Sequence, residues 1–341
     1  MKSNKGSVTI RDVAKAAGVS VSTVSRVLND KDDVAAETYE KVQAVIAELG
    51  YASSLAAKSM RSHKTNVIGL VIPELEDPFA VQVIQGVNQA IKGLDFDLLI
   101  YTSGDINIDS WVAREQQYVS LLNGSVVDGI IVVTPAGRTF TTNFPLVAID
   151  PHLDSADFPA VIAANKEGAL SVMTYLLELG HRRIGFITGR PYLQSAIQRL
   201  EGYKAGLEKA NILIDPDLIQ EGNFTQEIGY KCAKALLTLP NPPTAIFAAN
   251  DSSAIGAIQA ANELGLHIPD DLSVVGFDNI LASPYVNGGL TTVDQYIEKM
   301  GHAAVKMLIE LIQQKSLDKT VYRVPTELIV RNTCQEVNTQ I

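Results

Sequence analysis

The sequence is poor in cysteine, in aromatic residues and in long apolar stretches. Its 341 residues include 2 cysteines, Cys232 and Cys334, and only 6% aromatic residues. Two cysteines so far apart in the chain give neither a disulfide framework nor a metal clamp, and the 5 histidines form no HExxH pair. We therefore expect a reducing compartment, no bound metal and no cofactor.

Membrane and catalytic signatures are also missing. No apolar run reaches the roughly 18 residues that can cross a membrane, and the polar start MKSNKGS lacks the apolar core of a signal peptide. We expect a cytoplasmic protein without a membrane partner. No GxGxxG follows the first predicted strand, and neither GxxxxGK[ST] nor GxSxG occurs. We therefore expect that the chain is not an enzyme.

Positive charge is scarce except near the N-terminus. The whole chain carries 28 Lys and Arg against 38 Asp and Glu. Residues 1–65 hold 10 of the basic and 7 of the acidic residues, net +3, which leaves the remainder with a net charge of −13. A basic segment attracts phosphate and an acidic one repels it. A nucleic-acid partner should therefore bind this N-terminal segment only.

Residues 9–28, TIRDVAKAAGVSVSTVSRVL, predict two short helices joined by a tight turn. Thr9 and Asp12 have the spacing of a capping box, Gly18 ends the first helix, and Ser20 can cap the second. The apolar stripe of the second helix faces inward, which leaves its polar face for a DNA groove. The pattern predicts a helix-turn-helix; a capped surface helix pair with solvated polar side chains is the alternative.

A third helix and a linker follow. Val42, Ile46 and Leu49 repeat at helical spacing, and Gly50 stops that helix. Residues 52–65 are small, polar and basic, with too little apolar surface to fold alone. We expect a linker that becomes helical on DNA, with a plain flexible tether as the alternative.

From Asn66 onward, apolar strands alternate with helices. One strand set is NVIGLVI, FDLLIY, DGIIVV and PLVAID, and a second is RRIGFIT, TAIFAA and LSVVGF. Strands that are apolar throughout and separated by helices are typical of a parallel sheet covered on both faces. The sequence therefore predicts an all-α head followed by an α/β body of two doubly wound parallel-sheet lobes. Residues 293–314 should cross back to the first lobe, and 321–330 should supply late strands.

Polar and aromatic side chains follow these strands, where ligands of open α/β sheets bind. Carboxylates accept hydrogen bonds from hydroxyl groups, arginine and asparagine donate, and an aromatic ring stacks on the C–H face of a sugar. The residues predicted to bind such an effector are Phe79, Asp150, Arg199, Phe224, Asn250 and Asp278. Asp or Asn after a strand can equally be a helix cap, and we assign Asp251 to capping.

Taken together, residues 9–28, the run Glu48-Leu49-Gly50-Tyr51 and the later strand blocks resemble the lactose-repressor family of bacterial transcription regulators. The resemblance runs from about Val8 to about Arg331. It implies a ligand-responsive repressor that binds a palindromic operator in double-stranded DNA as a homodimer. It also implies a body like that of periplasmic sugar-binding proteins, with a sugar as the small-molecule effector at the positions of Asp150, Arg199, Phe224, Asn250 and Asp278.

The resemblance further implies a hinge helix in the linker, with Met60 as the apolar wedge in the minor groove. The residues predicted to contact DNA are Thr9, Val21, Ser22, Thr23, Ser25, Arg26, Asn29, Ala57, Lys58 and Met60. The predicted limits are 1–52 for the head, 53–65 for the hinge linker and 66–335 for the effector-binding and dimerisation body. Within the body we expect a first lobe of 66–163 and 293–322, and a second of 164–292 and 323–335.

A regulator that depends on a purine or another co-repressor remains the main alternative. A solute-binding receptor would need an export signal in place of the helix-turn-helix. A sugar-active enzyme would need catalytic residues that the sequence does not offer.

Overall fold

The computed structural model describes residues 8–28, 31, 33–51, 64–104, 108–122, 126–135, 137, 140, 144–152 and 158–337. The chain divides into two compact units, residues 1–65 and 66–341. Within the described residues, no helix is both long enough and apolar enough to span a membrane.

The first unit contains the three predicted helices, α1 (Ile10–Ala17), α2 (Val21–Leu28) and α3 (Ala36–Leu49). The capping box of α1 is present in both directions, and Gly18 closes that helix in the left-handed conformation. The hydroxyl of Ser20 accepts the backbone N–H of Thr23 at the start of α2. The apolar faces meet in a small core of Val13, Ala14, Ala17, Val24, Val27 and Val42. Local capping signals and one apolar stripe per helix thus account for the head.

The first lobe of the body is built on a wholly parallel six-stranded sheet. Its strands are β1 (Val67–Ile72), β2 (Asp97–Thr102), β3 (Gly129–Val133), β4 (Leu146–Ile149), β5 (Ala160–Ala163) and β11 (Val321–Val324), in the order β11-β5-β4-β3-β1-β2. Its helices are α4 (Pro78–Ile91), α5 (Ile108–Leu122) and α10 (Ile297–Ile312).

Helices α4 and α10 pack together on one face of this sheet. Gly86 of α4 permits this approach, because a Cβ there would lie 2.2 Å from the backbone oxygen of Glu298 in α10. The opposite face is covered by α5, through Val119 and Leu122 among others. Within the segment 293–314, Ile297–Ile312 packs on the first sheet, whereas Val293 lies in the core of the second lobe, so the predicted return of the whole segment stays a prediction.

The second lobe has a four-stranded parallel sheet, in the order β7-β6-β8-β9. Its strands are β6 (Ile184–Ile187), β7 (Ile219–Gln220), β8 (Ala245–Ala248) and β9 (Ser273–Val275), and its helices are α6 (Asn165–Glu178), α7 (Gln194–Lys209), α8 (Gln226–Leu237) and α9 (Asp251–Glu263). Helices α6 and α7 line one core and α8 and α9 the other. The predicted fold of a helical head and two parallel-sheet lobes is confirmed.

The chain passes between the lobes in three places. One crossing leads from β5 to α6, and the other two flank an antiparallel ribbon of β10 (Thr292–Asp294) and β12 (Glu327–Ile329). The predicted limits of the lobes stay a prediction, but strand pairing differs from them at one end. Arg323 and Val324 pair with β5 and so lie in the first sheet, whereas the sequence placed the division after residue 322. The end of β11 is set by its pairing with β5, which lies far away in the chain, so the sequence alone did not place it.

Candidate functional site

A cavity of about 260 Å³ lies between the two lobes. It is lined from both sides by loops that follow the strands, as expected for open α/β sheets. All of the residues predicted from the sequence for effector binding line this one cavity, namely Phe79, Asp150, Arg199, Phe224, Asn250 and Asp278. The structure therefore brings the predicted set together; binding by these residues stays a prediction.

The backbone around the cavity is strained. Thr134, Asp150, Phe224 and Asp278 all have positive φ, at 44°, 51°, 72° and 118° respectively. Such conformations cost on the order of 1–3 kcal/mol each for residues other than glycine, and they cluster at functional sites. The ring of Phe224 also requires a glycine beside it, because a Cβ on Gly189 would lie 2.0 Å from the ring. The fold thus sustains unfavourable geometry where the cavity is formed.

Arg199, on α7, is held by protein groups on several elements. Its Nε donates to Asn165 Oδ1 at 2.9 Å, its Nη1 to the carbonyl oxygen of Ala249 at 2.6 Å, and its Nη2 to Gln295 Oε1 at 3.4 Å. Its guanidinium carbon lies 3.8 Å from the centre of the Phe277 ring. We infer that Arg199 acts mainly by positioning the wall of the cavity, because its donors are already directed at the protein.

The charge of Arg199 is matched by Asp278, whose Oδ1 lies 3.2 Å from Nη1. Gln295 donates to the same carboxylate oxygen at 2.6 Å. Burial raises the pKa of Asp278 well above its usual range, and the neighbouring Arg199 offsets part of that rise. A buried carboxylate held by an ion pair and an amide is a rigid acceptor at the cavity wall.

Asn250 has a structural role as well as a place in the cavity. Its Oδ1 accepts the backbone N–H of Ser253 at 3.0 Å, so it caps α9, and its Nδ2 donates to the carbonyl of Phe224 at 2.9 Å.

The assignment of Asp251 to capping was wrong. Asp251 is fully buried and accepts hydrogen bonds from the hydroxyls of Ser283 and Thr292. Burial raises its pKa to about 6.

The rim of the cavity contains charged residues that the sequence reasoning missed, Glu74, Glu76 and Arg190. Asp77 lies beside them and caps α4 by accepting the N–H of Phe79 at 3.0 Å. Burial raises the pKa of Asp77, which Arg190 partly opposes. Gln295 was missed as well, although it directly follows β10. The position just after a strand was the signal that could have found these residues.

Side chains also bridge the lobes near the cavity. Nδ1 of His152, after β4, lies 2.8 Å from the carbonyl oxygen of Tyr192 in the second lobe, and the two rings are 5.4 Å apart. Because a carbonyl only accepts, this geometry assigns the proton of His152 to Nδ1. Gln82 of α4 donates to the carbonyl of Asn279 at 3.5 Å. The cavity is therefore observed with its two walls in contact.

The outer face of α2 presents the predicted DNA-contacting side chains. Val21 is 43% exposed, and Ser22 and Arg26 are exposed. Nη1 of Arg26 lies 3.3 Å from Oδ2 of Asp33, in an exposed ion pair. Thr9 is exposed too, with its hydroxyl bonded to Asp12. Thr23 and Ser25 are half-buried, and Asn29, Ala57, Lys58 and Met60 lie outside the described residues.

Known proteins resemble both units. Residues 9–54 match the family described as "Bacterial regulatory proteins, lacI family", and residues 173–334 match the "Periplasmic binding protein-like domain". The HTH-type transcriptional repressor PurR of Pasteurella multocida (strain Pm70) is 35% identical over 332 residues, covering 95% of this chain and 98% of that protein. The PurR repressor of Yersinia enterocolitica (serotype O:8 / biotype 1B) is 36% identical over 333 residues, covering 95% and 96%.

Solved structures agree with these matches. The lac repressor dimer bound to operator and the anti-inducer ONPF superposes with a TM-score of 0.84 at 28% identity, covering 97% of this chain and 100% of that chain. The complex of the transcriptional regulator CelR with cellobiose gives a TM-score of 0.69 at 28% identity, covering 96% and 99%. The resemblance predicted from the sequence is confirmed.

Proposed function

The chain belongs to the lacI family of bacterial regulatory proteins, and we propose that it represses transcription as a homodimer whose effector is a sugar bound between the lobes. It is a transcriptional repressor with a helix-turn-helix head and a ligand-binding body. The proposal concerns the finer points: the oligomer, the class of effector and the residues that bind it.

The DNA-binding proposal rests on α2. A recognition helix reads base edges with side chains from its exposed face, and a dimer of such heads requires a palindromic operator. Ser22 and Arg26 meet the first requirement, and the lac repressor structure bound to operator is a dimer. Because its DNA partner lies in the bacterial cytoplasm, we place the protein there. Its curated relatives are repressors, and we propose that it has no catalytic activity.

The meeting of Asp150, Asp278 and Phe224 in one small cavity is the observation that carries the sugar proposal. Carboxylates accept hydroxyl hydrogens and an aromatic ring covers a C–H face, as a sugar requires. The volume of about 260 Å³ lies just below the 300–1,000 Å³ of sites for drug-sized ligands, so it suits one or two sugar rings. CelR, a structural relative, is a cellobiose complex.

A planar nucleobase is the second candidate. Phe79 from the first lobe and Phe224 from the second both line the cavity, and two rings on opposite walls can hold a flat ligand. We favour the sugar because the cavity contains more carboxylates than a planar base needs as hydrogen-bond acceptors.

A thermal-shift screen of monosaccharides, disaccharides and nucleobases tests the proposal, because a ligand that binds only the folded state raises its melting temperature. We expect a sugar to raise it, and Asp150→Ala to abolish the rise. Glu208→Gln, an exposed change on α7 that does not line the cavity, is the matched control. A rise caused by nucleobases alone would contradict the sugar proposal.

A further inference from the structure

The lining of the inter-lobe cavity is strongly acidic. Among the described residues that line it, five carry carboxylates and two carry guanidinium groups. The acidic residues are Glu74, Glu76, Asp77, Asp150 and Asp278. With all of these groups ionised, the carboxylates exceed the guanidinium groups by three, and such a lining has an electrostatic preference separate from the hydrogen bonds it can form.

The deeper arginine does not offer its charge to a ligand. Arg199 and Asp278 form an ion pair at 3.2 Å, and their side chains are 4% and 7% exposed. An anionic ligand that recruited Arg199 would have to compete with Asp278, which would then be a buried carboxylate without its cation. Breaking a buried pair in this way is strongly unfavourable.

The second arginine, Arg190, lies nearer the rim and is half-buried. Its Nε donates to the carbonyl of Asn223 at 3.3 Å. Its charge also acts on Asp77, whose pKa is raised by burial and lowered in part by Arg190. Arg199 thus forms an ion pair with one carboxylate, the charge of Arg190 acts on another, and the exposed Glu74 and Glu76 add further negative charge at the mouth.

Building on the sugar effector proposed above, we propose that the cavity selects uncharged sugars and rejects their phosphorylated or carboxylated counterparts. Glu74 and Glu76 are the specificity-determining residues at the mouth. A negative ligand entering there approaches like charges, which disfavours both its encounter with the site and its final binding. An uncharged sugar meets no such repulsion, and its hydroxyls donate to the carboxylates.

Calorimetric titration of matched sugars tests this selectivity. The probes are glucose and galactose, with glucose 6-phosphate and glucuronate as the anionic counterparts of glucose and with galactose 6-phosphate and galacturonate as those of galactose. We expect the best uncharged sugar to bind at least about tenfold more tightly than its anionic counterpart. The ratio of these two affinities should become smaller as ionic strength rises from about 0.01 to 1 M, because the Debye length falls from about 30 to 3 Å.

The double variant Glu74→Gln/Glu76→Gln should narrow the ratio of the two affinities several-fold at low salt, because the anionic sugar gains more affinity from the lost repulsion than the uncharged sugar does. The matched control is Glu208→Gln/Asp270→Asn, which removes two exposed carboxylates that do not line the cavity. It should leave the ratio unchanged. The same narrowing in test and control variants would overturn the assignment to Glu74 and Glu76.

Failure of this inference is distinguishable from failure of the proposed function. An anionic sugar that binds as tightly as its uncharged counterpart overturns the charge selectivity but leaves a sugar effector. Binding of adenine, guanine or hypoxanthine with no binding of any sugar overturns the sugar effector, and the selectivity with it.

Discussion

The buried pair of Arg199 and Asp278 gives the sharpest prediction about stability. Asp278→Asn removes one charge at nearly constant volume and keeps a side chain of nearly the same shape at the positive φ of this position. It leaves the guanidinium of Arg199, whose side chain is 4% exposed, without its carboxylate. Removing one partner of a buried pair costs about 3–5 kcal/mol, so we expect a loss of unfolding free energy of that order.

Arg199→Met tests the pair from the other side. It removes the guanidinium donors to Asn165, Ala249 and Gln295, and it leaves the Asp278 carboxylate buried. We expect a loss of about 3 kcal/mol or more at neutral pH. The double variant contains neither charge. Its loss of unfolding free energy should therefore be smaller than the sum of the two single losses by about 2 kcal/mol, a coupling energy within the range for residues in contact.

Urea unfolding at pH 7 measures the wild type and the three variants. The slopes of the transitions must agree, because a changed slope reports a change in the surface exposed on unfolding. A sum of the two single losses of unfolding free energy that lies within about 0.5 kcal/mol of the loss in the double variant is the contrary result. That result would refute the buried-pair argument, because such additivity is typical of independent sites.

Three further predictions follow from other parts of the molecule. Burial raises the pKa of Asp251 to about 6 from 3.8, so its contribution to stability is full at low pH and is lost as pH rises through about 6. Asp251→Asn should therefore make the urea unfolding midpoint less dependent on pH between about pH 4 and 7. The same pH dependence in variant and wild type would argue against a raised pKa of Asp251. Arg26→Ala should weaken operator binding by about 1–3 kcal/mol in a band-shift titration without lowering the melting temperature, and unaltered affinity would remove Arg26 from the interface. His152→Ala removes the contact with the Tyr192 carbonyl, so the binding free energy of the sugar found by thermal shift should fall by about 0.5–1.5 kcal/mol in calorimetry. Equal sugar affinities of variant and wild type would mean that this contact between the lobes does not favour the ligand-bound cavity.

Much of the fold was predictable because its signals are local. The caps at Thr9, Gly18 and Ser20 lie within a few residues of the backbone groups that they satisfy. Strands β1, β3, β4 and β6 lie within the predicted runs NVIGLVI, DGIIVV, PLVAID and RRIGFIT, because a strand buried on both faces is apolar throughout. Strands β5, β7 and β10 were missed. β7 has only two residues, too short for a pattern to separate it from a loop.

The candidate site was predictable as a set of positions but not as a set of roles. The rule that ligands bind after the strands found all six residues of the predicted set around one cavity. A helix cap was the alternative that the sequence left open for Asn250, but nothing in the sequence revealed that Arg199 is held by Asn165 and Gln295. Those partners lie 34 and 96 residues from Arg199 in the chain, so only the folded structure brings them together.

A sugar in the inter-lobe cavity should control operator binding. The fluorescence anisotropy of a labelled palindromic operator, titrated with protein at zero and at saturating concentration of the sugar found by thermal shift, measures this coupling. We predict that the sugar lowers operator affinity, and that operator lowers sugar affinity by the same factor, as coupling between two sites requires. Asp150→Ala should abolish the effect and keep sugar-free operator affinity. A sugar that binds by calorimetry but leaves operator affinity unchanged would contradict the account.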